Sequence, residues 1–185
     1  YYLSGDIMLS FFTIFLVAIS LSMDTFSLSI IYGTLGLDKK TIYLLSIIVG
    51  LFHFVMPLIG NAIGQEILTR IPIAPNIVVG GIFLIIAVEM LFQDNEVWDL
   101  KKISALLIFG FTVSIDSFMV GIGISSITSN HLMSYITFAI TSFLFTLFGL
   151  KFGNKLSEKF GSKATLLGAI ILILLGILYI FNLLT

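Results

Sequence analysis

Apolar residues run along this chain in six long stretches, at about Leu9 to Gly36, Thr41 to Gly64, Asn76 to Phe92, Ile103 to Ile127, Leu132 to Phe152 and Ala164 to Leu184. Nearly all the charge falls in the short segments between them. Each stretch is near the ~20 residues that a helix needs to cross hydrocarbon. The Ile, Leu and Phe runs are continuous, whereas barrel strands would alternate apolar with polar positions. The pattern predicts an all-α integral membrane protein, with six transmembrane helices packed as one membrane domain over residues 1–185.

Composition strengthens that reading and removes several others. The chain is 58% hydrophobic and 10% charged, with more apolar surface than one soluble core can hide. A net charge of -1 offers no electrostatic basis for a nucleic-acid partner. Cysteine is absent, which excludes disulfides, thiolate metal sites and thiol catalysis. The first span has no basic n-region or small-residue cleavage site and carries Asp24, so it is expected to be a retained helix, not a signal peptide. No Met opens the chain; Tyr1 to Ile7 is read as a fragment or upstream sequence, with Met8 as the candidate start.

The polar residues inside the spans change the picture more. Ser20-Leu21-Ser22-Met23-Asp24-Thr25-Phe26 recurs 92 residues later as Thr112-Val113-Ser114-Ile115-Asp116-Ser117-Phe118. Each Asp falls near the centre of a span, where a carboxylate costs ~2.5–3.5 kcal/mol on insertion scales and usually faces a cavity, a partner or an ion. Weaker echoes follow. Gly60 and Gly64 of the second span match Gly149 and Gly153 of the fifth, and Gly81 to Ile86 resembles Ala169 to Leu174. Two three-helix repeats are therefore expected, over residues 9–92 and 103–184. Three spans is an odd number, so the second repeat would sit inverted relative to the first, the plan that many secondary transporters use around a midplane site.

Charge in the connections predicts the orientation. Eight of the nine Lys and Arg residues fall on one side: Lys39, Lys40, Lys101, Lys102, Lys151, Lys155, Lys159 and Lys163, with Arg70 alone opposite. The positive-inside rule makes the first, third and fifth connections cytoplasmic and turns both termini outward.

On a helix, Ser20, Asp24 and Ser27 share one face, as do Thr112 and Asp116. Carboxylates flanked by hydroxyls are hard oxygen donors, suited to Mg²⁺, Ca²⁺ or Mn²⁺ rather than to soft ions. Two opposed carboxylates neutralise one divalent cation, and without it they take up protons, so metal and proton would compete for one place. The candidate metal ligands are Asp24 and Asp116, assisted by Ser22 and Ser114. His53, four residues before the helix-bending Pro57, and Asn61, between Gly60 and Gly64, are further candidates. For His53 and Asn61 a hydrogen bond between helices is the competing reading. Glu89 is expected to reach the cytoplasmic interface, Tyr43 and Trp98 to anchor there, and Asp94, Glu96 and Asp99 to form an acidic loop.

At these residues the chain resembles the MntP-type manganese efflux pumps of the LysE transporter superfamily. Ser22-Met23-Asp24-Thr25-Phe26 is similar to that family's first-helix motif, Ser114-Ile115-Asp116-Ser117-Phe118 to its fourth-helix counterpart, and Met56-Pro57-Leu58-Ile59-Gly60 with Gly64 to its second-helix pattern. His53 stands where the family often has Gln or Glu. Glu89, before Met90, stands where many members carry Lys or Arg. The resemblance implies export of Mn²⁺ from a bacterial cytoplasm; with the paired carboxylates and the repeat, the expectation is a non-enzymatic plasma-membrane transporter that works by proton antiport with alternating access and without a cofactor. Its expected partners are the lipid bilayer, the divalent ion and counter-transported protons. Alternatives are a sporulation-associated or other non-transporting membrane partner, an amino-acid exporter, and an intramembrane aspartyl protease. The last lacks its motifs, since Asp24 follows Met23 and Asp116 follows Ile115.

Overall fold

The computed structural model describes residues 2–70, 72–92, 100, 102–156 and 158–184. Asp94, Glu96, Trp98, Asp99 and Lys101 lie outside them. Helices dominate: α1 (Tyr2–Gly33), α2 (Lys39–Arg70), α3 (Pro75–Phe92), α4 (Ile103–Thr112), α5 (Ile115–Gly123), a 3-10 turn (Ile124–Ser126), α6 (His131–Phe152) and α7 (Glu158–Ile180). The fourth apolar stretch is thus built from α4, α5 and the turn, and six segments are long and apolar enough to cross a membrane. Phe12, Ile47, Leu51, Ile108, Ile140 and Leu174 are each more than half exposed, the outward apolar surface that a bilayer would cover.

Local chemistry sets the ends of the helices. Asp38 caps α2, its carboxylate accepting from the Lys40 amide at 3.1 Å, the Thr41 amide at 3.3 Å and the Thr41 hydroxyl at 2.5 Å. Asn130 caps α6 by accepting from the Met133 amide at 3.3 Å. Gly36, at φ 68°, takes the left-handed turn after α1 that a side chain would oppose. Pro57 sits inside α2 without ending it.

The helices close on each other through small residues, since lipid supplies little hydrophobic drive for helix association. A methyl group on Gly149 would meet the Phe26 carbonyl and Ser29, and one on Gly153 would meet the Ile30 carbonyl. In the other half, Gly60 meets the Phe118 carbonyl and Gly121, and Gly64 meets the Ile122 carbonyl. Phe118, Gly121 and Ile122 stand 92 residues after Phe26, Ser29 and Ile30. Span one therefore seats on span five through the same residue positions by which span four seats on span two.

At one end of the bundle, Lys151 of α6 donates to the Tyr43 hydroxyl of α2 at 2.8 Å and lies 4.5 Å from the centre of its ring. This gives Tyr43 a definite partner at the end where the lysines gather. At the other end Arg70 pairs with Glu66 on the exposed last turn of α2.

Candidate functional site

The fourth span is interrupted immediately before its carboxylate. Ser114 leaves helical geometry at φ -112° and ψ 4°. Its hydroxyl donates to the Phe111 carbonyl at 2.9 Å and its amide to the same oxygen at 3.2 Å. These local bonds compete with the helical ladder. Asp116 then lies in the first turn of α5, and its carboxylate accepts from the Ser117 amide at 2.7 Å. Sequence reasoning expected one unbroken helix here; a Val-Ser pair carries none of the usual breaking signals. The equivalent Leu21-Ser22 of α1 is continuous helix.

Asp24 and Asp116 line one small cavity of about 30 Å³, together with Ile86, Glu89 and Met90 of α3 and Thr112, Val113 and Ile115 of the fourth span. Asp24 is 8% exposed and Asp116 is half-buried. A volume of this size holds a water or two, or an ion stripped of most of its shell. Two carboxylates facing such a space repel unless a cation or a proton lies between them. Among the described residues, no three His, Cys, Asp or Glu side chains come together at ligand distance.

A larger cavity of about 270 Å³ adjoins this one, sharing Asp24 and Met90 and adding Ser27, Leu91, Ser162, Thr165 and Leu166. Leu91 and Ser162 belong to the last turn of α3 and the first turns of α7, so the space opens at the lysine-bearing end. At the opposite end a polar knot spans α2, the 3-10 turn and α6. Asn61 donates to the Tyr135 hydroxyl at 2.8 Å and lies 3.4 Å from His131 Nδ1, and the Ser125 hydroxyl donates to the Asn61 carbonyl oxygen at 2.6 Å.

The candidate ligands thus separate. Asp24 and Asp116 share a cavity. Ser22 and Ser114 are fully buried beside them in sequence, but Ser22 pairs with Ser142 at 3.1 Å and Ser114 turns to the Phe111 carbonyl. Asn61 is engaged in the knot, away from the residues lining the carboxylate cavity. His53 is fully buried, with Nδ1 2.9 Å from the Val49 carbonyl. Ser20 turns back to the Leu16 carbonyl at 2.8 Å, while Ser27 faces the larger cavity. Glu89, expected at the interface, is exposed near the end of α3 and also borders the carboxylate cavity. The signal for it was present: it is the only charged residue of the third stretch.

Comparison with known proteins bears on what this arrangement serves. The profile of the Mntp family, described as "Putative manganese efflux pump", matches residues 36–180. The chain belongs to this family. It is 35% identical to a member from Methanocorpusculum labreanum, over 90% of this chain and 93% of that one. A member from Methanobrevibacter smithii is 34% identical over 91% and 95% of the two chains, and one from Shouchella clausii is 32% identical over 90% and 95%. All three carry the family's name. No solved structure matches the chain. Membership makes it a multi-pass membrane protein of a transporter family, in agreement with the six apolar spans.

Proposed function

We propose that this protein exports Mn²⁺ from the cytoplasm, binding the partly dehydrated ion between Asp24 and Asp116. The observation that carries the proposal is the shared cavity: carboxylates 92 residues apart in sequence line one space of about 30 Å³. The relatives' name supplies the identity of the ion. Two negative charges balance one divalent cation, and oxygen donors suit Mn²⁺. The small volume favours a bare or nearly bare ion over an amino acid, whose carboxylate would also meet two like charges.

The two halves, 9–92 and 103–184, act as inverted repeats that rock about this site. Equivalent glycine seats between spans one and five and between spans four and two support that reading. The lysine-bearing end faces the cytoplasm of the cell and both termini face outward. The larger cavity then admits the ion from the cytoplasm to Asp24, while the Asn61 knot closes the outer end. Closure toward the cytoplasm and opening of the knot release the ion outside, and protons taken up by the carboxylates displace it and return with the empty carrier. Ser22 and Ser114 border the carboxylates and become ligands only if their present hydrogen bonds to Ser142 and Phe111 exchange for the ion.

Proteoliposome flux tests this directly. Asp24→Asn and Asp116→Asn each remove one charge without changing shape, and each should abolish Mn²⁺ movement under an imposed pH gradient. Full flux in both single variants would refute the site. No Mn²⁺ flux in the wild type would refute the function.

A further inference from the structure

We propose that His53 is a nitrogen ligand on the ion's path and the residue that lets this protein distinguish Mn²⁺ from Mg²⁺; this rests on the export reading above. His53 is 0% exposed, in the interior of the bundle. Its Nδ1 lies 2.9 Å from the Val49 carbonyl, an acceptor only, so Nδ1 must carry the hydrogen. In the neutral ring Nε2 then bears the lone pair. That atom is buried and has no hydrogen-bond partner among the described residues. An imidazole held by a carbonyl on one nitrogen with the other left open is the arrangement by which proteins orient a metal-binding histidine.

Two further features set this lone pair against the fourth span. Pro57 follows His53 by four residues and has no amide hydrogen, so the His53 carbonyl receives no helical bond from it. One residue thus presents both an unpartnered nitrogen and a carbonyl oxygen released from the ladder. The register across from it is also informative. Gly110 abuts Ile48 and Phe52, and Gly121 abuts Pro57. The facing stretch between those contacts holds the Val113-Ser114 break and Asp116, so His53 stands opposite the interruption in the fourth span. On its other flank Gly50 abuts Ala139 and Phe143 of α6. Buried hydroxyls of Thr25 and Ser117, the residues that follow the two aspartates, are likewise without partners among the described residues.

Leaving a buried polar atom unpaired costs stability, so an orphan facing a helix interruption points to a group that is satisfied at another step of the cycle. An all-oxygen site binds Mg²⁺ and Mn²⁺ by similar means. Imidazole nitrogen favours the transition ion, while Mg²⁺ prefers oxygen and gives up its water reluctantly. His53 therefore supplies the discrimination that the carboxylates lack.

The experiment is Mn²⁺ flux from proteoliposomes with Mg²⁺ as competitor, for wild type and His53→Gln, which keeps hydrogen bonding but removes the imidazole. Loss of a group that merely hydrogen-bonds a metal ligand alters affinity roughly 10–100-fold, so loss of this ligand itself should raise the potency of Mg²⁺ as an inhibitor by at least about tenfold. Mn²⁺ flux should fall but stay measurable, because the carboxylates remain. An unchanged Mn²⁺-to-Mg²⁺ ratio in an active variant would overturn the proposal while leaving the export reading intact. Electron paramagnetic resonance on Mn²⁺-loaded protein keeps the test open if the variant misfolds. The chain has only two histidines, so nitrogen coupling to Mn²⁺ should survive in His131→Gln. Its absence from that well-folded protein would equally overturn the assignment.

Discussion

The glycine seats give a graded test of how tightly the helices are pressed together. A methyl group at position 64 would lie 2.6 Å from the Ile122 α-carbon and 2.8 Å from its carbonyl carbon, with the carbonyl oxygen closer still. These are backbone atoms that no rotamer change can move. Position 60 is less severe, with the Gly121 α-carbon and Phe118 carbonyl carbon each at 3.1 Å, although the Phe118 oxygen is nearer. Gly81 has nothing within 4 Å and serves as the control. Any Gly→Ala change in a helix gains ~0.8–1.0 kcal/mol of propensity. Overpacking costs ~1–3 kcal/mol. Gly64→Ala should therefore lose roughly 0–2 kcal/mol net and Gly81→Ala should gain up to about 1 kcal/mol, combining the same figures. At ~2–4 °C per kcal/mol for a chain of this length, melting in detergent should rank Gly81→Ala above wild type and Gly64→Ala below Gly60→Ala. Equal melting of Gly64→Ala and Gly81→Ala would show that these helices are not in contact as described.

Two other outcomes follow from local geometry. Replacing Asp38 with Ala should speed amide exchange in the first turn of α2, at Lys40 and Thr41, and leave the remaining spans unchanged. The Thr41 hydroxyl and amide hold the Asp38 carboxyl below its ordinary value of 3.8, so the cap is complete above that value and is lost as the pH falls through the lowered pKa; exchange in that turn that stays flat down to pH 2 would refute it. A methyl group on Gly161 would lie 3.4 Å from the Ser27 Cβ, close to the ~3.5–4.5 Å span of a disulfide. The cysteine-free chain carrying Ser27→Cys with Gly161→Cys should oxidise to a cross-linked form that stops flux and recovers on reduction, and full flux while cross-linked would show that α1 and α7 need not separate.

The class of fold and the paired carboxylates were legible because both depend on position along a single helix. An Asp far from other charges in an apolar run has few places to go, and two such residues at matching depth are expected to meet. The helix caps were less visible, though Asp38 and Asn130 are residues of the capping type. The break before Asp116 was hidden, because it arises from one hydroxyl choosing the Phe111 carbonyl, and the same Ser at position 22 pairs across to α6 instead. Asn61 stayed open between two readings for a related reason. Its amide suits a cation as well as it suits a tyrosine, and only the approach of α6 brings Tyr135 and His131 to it. Short-range preference identifies such a residue as polar and buried; the partner is decided by helices that are distant in sequence.

The difference between the two halves is itself informative. Span one packs against span six through Ser27 on Gly161 and through Ser20 and Met23 on Gly168. The repeat-equivalent pair is span four with span three, and their close approach is at Gly123 on Val79 and Ile82, toward the end with the Asn61 knot. Nearer the lysine-bearing end, that pair is held apart by the cavity that Asp24, Glu89 and Asp116 line. A chain whose halves were identical in conformation would treat the two pairs alike. An inverted repeat that alternates must instead hold its halves in different shapes at any moment, and exchange of those shapes carries the opening from one end to the other. If the two halves alternate as proposed above, the unbroken α1 and the interrupted fourth span are the visible form of that difference. On the alternating-access proposal the moving part is Val113-Ser114, where the Ser114 amide and hydroxyl have already turned to the Phe111 carbonyl and Asp116 can shift with the least further loss.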